Sequence, residues 1–229
     1  IPTDGEYSVD LPLDTLTFDG LQVSVVRTVG ADETYVVEVP FVVTTLKDPT
    51  MPAGVEKILI PGVNGQVQRK ASVVYVNGKE QSREVLEETA VQPVVNQVVA
   101  VGTGENVGAK KTEPLIGDGV IVLPTGEILT YTHTAQIRAT AYTHTDAGCN
   151  KTTATGTTVH WGTVAVDPRQ IPYGTKMFIV SNDGKYVYGL SAAEDCGGSI
   201  KGNRIDLYMP TTKQCFAFGM RNCTIYFLG

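Results

Sequence analysis

The sequence predicts an all-β chain in two parts, a glycine-punctuated β region followed by a compact barrel with one short helix. Three observations predict this. Short Val- and Thr-rich runs recur along the chain, separated by 24 Gly and 12 Pro, the pattern of many short strands rather than of helices. No apolar run approaches the roughly 20 residues of a membrane-spanning helix. All four cysteines, at 149, 196, 215 and 223, lie in the C-terminal part, which sets that part off as a domain of its own.

With 229 residues, 42% of them hydrophobic and 18% charged, the chain has the balance of a folded globular protein. The net charge of −6 is unevenly divided. Residues 135–229 hold nine Lys/Arg against six Asp/Glu, and residues 1–134 hold nine against eighteen. An acidic chain without a basic run is not built for nucleic acid, whereas the mildly basic C-terminal part tolerates an anionic polymer. The chain opens Ile1-Pro2-Thr3 without an initiator Met or leader, so it is read as an excised piece of a longer protein. None of the cysteines forms a Cys-x-x-Cys pair, which argues against a zinc ribbon. An even number in one domain points to disulfides and an oxidising, extracytoplasmic setting. The favoured pairs are Cys149–Cys196 and Cys215–Cys223; buried free thiols are the alternative.

Taken in order, residues 1–31 form a lead-in, or the tail of a preceding domain. The turn pair Asp19-Gly20 between two alternating runs predicts a hairpin. Residues 32–104 alternate strand runs with glycine turns. Strands are expected over 35–43, with Pro40 at an edge or bulge, and over 58–60, 71–76 and 94–101. Asn77-Gly78 is a second hairpin signal. Residues 84–89 have a helical pattern but are read as strand because β runs flank them. Gly54, Gly62, Gly65, Gly78 and Gly102, with the flanks Val76-Asn77-Gly78-Lys79-Glu80 and Val101-Gly102-Thr103, resemble a G5 domain. The resemblance implies an elongated spacer or wall-binding arm without catalytic residues.

Residues 105–134 begin with the polar linker Lys110-Lys111-Thr112-Glu113-Pro114 and continue as a hairpin turning at Pro124-Thr125-Gly126. Within residues 135–229, strands are expected over 136–142, 162–166, 176–180, 187–192, 204–208 and 224–228. One helix is expected over 210–219, with Thr211 as N-cap and Gly219 as its stop. Six strands and a helix in so short a span indicate a small barrel.

The chemistry lies in the same part. In a strand over 204–208, Ile205 and Leu207 face the core, so Arg204, Asp206 and Tyr208 face outward or into a cleft. A strand Asp is ordinarily solvated or Arg-paired. Here Gly197, Gly198 and Gly202 allow turns that can bring Asp195 back toward Asp206. Two nearby carboxylates cannot both ionise cheaply, so one is pushed toward its protonated form, which is what a general acid requires. Asp167 precedes Pro168, ordinarily a loop-starting pair. Thr140 and Tyr142 on the first strand, with Lys201, are candidate sugar-cleft residues, against the ordinary packing role of Thr and Tyr in strands. His133, His144 and His160 match no standard metal spacing, and no metal or cofactor is expected. Trp161 is either a stacking platform for a sugar or a core residue.

In this order, Ala139-Thr140-Ala141-Tyr142-Thr143, Val164-Ala165-Val166-Asp167-Pro168, Ile171-Pro172-Tyr173-Gly174-Thr175, Glu194-Asp195-Cys196-Gly197-Gly198-Ser199-Ile200-Lys201-Gly202 and Arg204-Ile205-Asp206-Leu207 resemble the three-aspartate (3D) domain. That domain is similar to the catalytic double-psi β-barrel of membrane-bound lytic transglycosylase A. Together with the G5-like part, it is similar to resuscitation-promoting-factor-like wall proteins. Cys196 departs from the motif. The resemblance implies a monomeric, secreted or wall-associated protein of Gram-positive type that acts on peptidoglycan glycan strands. It also implies a lytic transglycosylase activity that leaves 1,6-anhydromuramic ends, with Asp206 as the acid and Asp195 and Asp167 as the other two aspartates. The rival expectations are a wall-binding protein that holds glycan without cutting it, and a glycan hydrolase, metal-dependent if it uses His144 or His160.

Overall fold

The computed structural model describes residues 5–12 and 14–229. Almost all regular structure is β. The strands are β1 (Glu6–Val9), β2 (Val25–Val39), β3 (Val43–Asp48), β4 (Glu56–Ile60), β5 (Gly65–Val76), β6 (Lys79–Gln92), β7 (Gln97–Gly102), β8 (Leu115–Gly117), β9 (Val120–Val122), β10 (Ile128–Tyr142), β11 (Thr163–Ala165), β12 (Lys176–Ser181), β13 (Val187–Asp195), β14 (Arg204–Tyr208) and β15 (Arg221–Leu228). The one helix, α1, spans Thr212–Phe218. The chain divides into two compact units. One runs up to Thr45 and includes Gly54–Val101; the other comprises Leu46–Ala53 and Gly102–Gly229.

The first unit is built on a long antiparallel sheet in the order β1-β2-β5-β6, and strands β3, β7 and β4 form a smaller three-stranded sheet. The run 84–89 lies within β6, as its β neighbours predict. Every residue of β6 is exposed, so its helix-like spacing of apolar residues never meets a core to pack against. Asn77 (φ 50°) and Gly78 (φ 79°) make the tight connection between β5 and β6, since both central positions of a type I′ turn need positive φ. The hairpin expected around Asp19-Gly20 is corrected. A turn does form there, with Leu21 N donating to Phe18 O at 3.1 Å. Its upstream arm makes no strand, and Leu16 and Phe18 stand exposed. Strand β2 pairs instead with β1, Glu6 opposite Thr28 and Val9 opposite Val25. Ser24 N donates to Asp10 Oδ1 at 3.0 Å at the base of the connection.

Some of the five glycines act through close packing rather than turn geometry. A Cβ on Gly102 would lie 2.0 Å from the carbonyl oxygen of Pro52, a backbone atom that cannot swing aside. Gly102→Ala is therefore expected to destabilise its unit by about 1–3 kcal/mol, read as a lowered denaturation midpoint in urea. An unchanged midpoint would show that the 51–53 backbone yields freely.

The second unit is a closed barrel. Its ring runs β14-β11-β13-β12-β15-β10, and β10 closes onto β14. Most pairings are antiparallel, but β10–β14 and β11–β13 are parallel. Strands β8 and β9 extend the sheet from the first half of β10, with the hairpin turning at Pro124-Thr125-Gly126. The interior is packed by Ile137, Ala139, Val164, Met177, Ile179, Ile205, Leu207, Cys223 and Ile225, among others. Period-two alternation fills it: Ile205 and Leu207 are fully buried while Arg204 and Asp206 on the same strand are not. Helix α1 begins at Thr211, whose hydroxyl accepts from Gln214 N, and stops at Gly219, φ 63°. Among the described residues, no helix is long and apolar enough to cross a membrane.

The expected disulfides are corrected too. All four cysteines are free thiols. Cys223 is an interior residue of β15 packed among apolar neighbours, and Cys215 packs from α1 against the same core. Their even number thus reflects small hydrophobic packing residues at two positions and exposed thiols at the other two.

Candidate functional site

Strand β11 organises the site. Ala165 is the register partner of Asp206 on β14 and also of Asp195 on β13. The two carboxylates therefore flank a central strand, with backbones roughly 10 Å apart at ordinary inter-strand spacing. The methyl side chain of Ala165 leaves the space between them open. Asp206, Asp195, Tyr142, Ala165 and Ile200 line a pocket of about 140 Å³, joined by Cys149 and Cys196 at the loops beside it.

Strand β10 braces both acids. Thr140 is the register partner of Asp206, and its hydroxyl donates to Asp206 Oδ1 at 2.8 Å. Two residues on, the Tyr142 phenol donates to Asp195 Oδ2 at 2.8 Å. The other oxygen of Asp195 accepts from the backbone N–H groups of Cys196 at 2.9 Å and Ala154 at 3.1 Å. Tyr142 packs edge-to-face on Tyr208, with ring centroids 5.6 Å apart, and with Val159, Ala165 and Ile200 these rings form a small apolar cluster around the site.

These surroundings separate the two acids chemically. Burial pushes the Asp206 carboxyl up to about 6, because a charge in an apolar setting is poorly solvated. The Thr140 hydrogen bond and the charge of Arg204 oppose that shift, while Asp146 and Asp195 add to it. The lift on Asp206 thus comes first from burial and only secondarily from a carboxylate neighbour, which fits two acids separated by a strand. Burial, with the bond to Asp195 next, raises the Tyr142 phenol above its ordinary range, so it stays protonated as a donor.

Asp167 is placed differently. It is 2% exposed and absent from the pocket lining. Arg169 donates to it through Nε at 3.0 Å and a terminal nitrogen at 2.8 Å, and Gly202 N donates at 3.0 Å. The Arg169 bonds and the Gly202 N–H hold its carboxyl far below the usual carboxylate range. Asp167 is thereby fixed as an anion that pins the glycine loop between the other two aspartates. In that loop Gly202 has φ 60°, which an L side chain rarely adopts. Lys201 is exposed and lies outside the pocket lining.

Of the residues singled out by sequence, the structure therefore gathers Asp206, Asp195, Thr140 and Tyr142, and sets Asp167 behind them and Lys201 outside. It adds Asp146, Cys149 and Ala165. Asp146 Oδ2 caps the turn after β10 by accepting from Thr143 N at 2.9 Å. Asp146 and Cys149 follow the strand that carries Thr140 and Tyr142, and Ala165 lies in the motif segment that leads to Asp167. The histidines stand apart. His144 Nδ1 is 2.9 Å from the Tyr208 hydroxyl, His160 lies 3.2 Å from Glu194, and His133 stacks on Phe227. Among the described residues, no three His, Cys, Asp or Glu side chains cluster as metal ligands. Trp161 is 47% exposed, its indole N–H held by Tyr188 O at 3.0 Å.

A small β-barrel with a half-buried carboxyl in its cleft, in a chain that also holds a glycine-dependent β unit, fits two domain families, and both match. The G5 domain model matches residues 30–104 and the 3D domain model matches residues 162–229. The chain carries both domains. It is similar to YabE of Bacillus subtilis (strain 168), described as a cell wall shaping protein, with 30% identity over 200 residues, 83% of this chain and 46% of that protein. It is also similar to the cell wall-binding protein YocH of the same organism, with 36% identity over 93 residues, 39% of this chain and 30% of that protein. The chain thus spans less than half the length of either relative. A solved G5 structure, that of HP0197, covers 33% of the chain at 21% identity with a TM-score of 0.29.

Proposed function

We propose that this chain is a wall-associated, extracytoplasmic protein whose barrel is a peptidoglycan lytic transglycosylase, cleaving the β-1,4 bond between N-acetylmuramic acid and N-acetylglucosamine. The observation that carries the reading is a half-buried carboxyl, Asp206, raised to about 6 at a pocket that also holds Asp195. The 3D match and the names of the two wall-protein relatives support the substrate.

In the proposed reaction, protonated Asp206 donates its proton to the bridging oxygen as the C1–O bond breaks. The muramic C6 hydroxyl then forms the new bond to C1, and ionised Asp206 takes that hydroxyl's proton. The acid is regenerated and a 1,6-anhydro end is left. Because the nucleophile belongs to the substrate, one carboxyl suffices where hydrolytic glycosidases use two. Asp195 stabilises the positive charge that develops at C1. Thr140 fixes the orientation of Asp206, and Tyr142 that of Asp195. Asp167 keeps the intervening loop in place.

Incubating the chain with purified peptidoglycan and weighing the released fragments tests this directly. Anhydromuramic ends are expected; reducing ends would replace the reading with a hydrolase. A second reading, glycan binding without cleavage, is favoured by the name of one relative, a cell wall-binding protein. It predicts sedimentation of the chain with intact walls and no released fragments.

A further inference from the structure

We infer that Arg138 and Arg204 form a subsite for a carboxylate borne on the muramic acid next to the scissile bond. The inference rests on the transglycosylase reading for its substrate. Strands β10 and β14 run parallel, with Arg138 opposite Arg204, and the next pair on the same face is Thr140 opposite Asp206. The two guanidinium groups thus start from neighbouring strands, roughly 7 Å along the sheet from the acid. A substituent of the sugar held at Asp206 would lie over them.

Among the described residues, neither the Arg138 nor the Arg204 guanidinium is held in a salt bridge, although the charge of Arg204 acts at longer range on Asp206. The Nε of Arg204 is buried and has no hydrogen-bond partner. Arg221 on the adjoining strand also has a buried Nε without a partner, but it is paired with Asp183 and lies over the rings of Tyr186 and Phe218. Like charges on directly opposed strand positions are destabilising, and a buried donor without an acceptor adds to that. An oxyanion between the two forks relieves both, because a guanidinium offers parallel N–H groups matched to a carboxylate. Arg138, Met220, Arg221 and Asn222 line an open depression of about 390 Å³ on the β15 side of Arg138.

Two carboxylates have this chemistry: those of the peptide stem, and the lactyl carboxylate left when the stem is removed. Three substrates separate them, namely glycan with intact stems, glycan stripped of stems by an amidase, and a neutral N-acetylglucosamine oligomer. Binding and cleavage are both measured, for the native chain and for Arg138→Gln, Arg138→Lys and the Arg138→Gln/Arg204→Gln double variant. Arg138 is exposed, so its replacement does not threaten the fold. The native chain is expected to bind carboxylate-bearing glycan more tightly than the neutral oligomer, with added salt erasing the difference. That preference should fall at least about tenfold in Arg138→Gln, fall further in the double variant, and return in part with Lys. Preference for intact stems alone assigns the stem; preference shared with stripped glycan assigns the lactyl group. An unaltered preference in Arg138→Gln, or an equal loss on all three substrates, overturns the subsite. Charge-dependent binding without cleavage of any substrate would overturn the transglycosylase reading and leave the subsite standing.

Discussion

Asp206→Asn is expected to abolish release of anhydromuropeptides while making the protein more stable above neutral pH. The loss follows from the role: an amide cannot donate the proton, and a positioned general acid typically contributes 10²–10⁴-fold in rate. The gain follows from linkage. Burial raises the carboxyl from an ordinary 3.8 to about 6 in the folded chain. Between those values the unfolded chain releases its proton before the folded chain does, so stability falls as pH rises through this window and then levels off. The shift corresponds to at most about 3 kcal/mol. Asn keeps the acceptor for the Thr140 hydroxyl and never ionises, so the variant escapes that penalty. Thermal melts at pH 4 and pH 8 should show the variant gaining on the native chain at the higher pH. The native activity should decline as pH rises past about 6, when the acid arrives already ionised. Full activity in the variant would remove Asp206 from the mechanism. A stability difference that ignores pH would remove the buried-acid account.

Asp195 separates charge from structure. Asp195→Ala leaves the Tyr142 phenol without its acceptor at a position only 7% exposed, a loss of about 1–3 kcal/mol. The N–H groups of Ala154 and Cys196 lie at exposed residues and can turn to water. Asp195→Asn keeps an oxygen for those N–H groups, and its amide can donate to the phenol oxygen. Its fold should therefore be nearly native. Its rate should still fall by about 10²–10³, the usual effect of losing one preorganised electrostatic contact to a developing charge. A fast Asn variant alongside a slow, unstable Ala variant would make Asp195 a brace for Tyr142 and nothing more.

Much of the barrel could be read from residue order. Ile205 and Leu207 had to face one way and Asp206 the other, Thr211 and Gly219 bracketed the helix, and Asn77-Gly78 forced a turn. Each of these is a local rule with a period of two residues or a single φ requirement. The three aspartates were legible as a motif, and the resemblance set Asp206 apart as the acid. That Arg169 and Gly202 hold Asp167 as a buried anion was visible only in the fold. The cysteines misled because packing and pairing leave the same count in a sequence.

The chain order by itself determined the strand-rich architecture and the short helix, since alternation and caps act between near neighbours. Tertiary structure alone decided that β11 stands between Asp206 and Asp195, that Asp206 lies where burial more than the second carboxylate raises its carboxyl, and that Arg138 stands opposite Arg204. Those facts depend on pairings between strands more than twenty residues apart in the chain, and no local pattern encodes which strands become neighbours when a barrel closes.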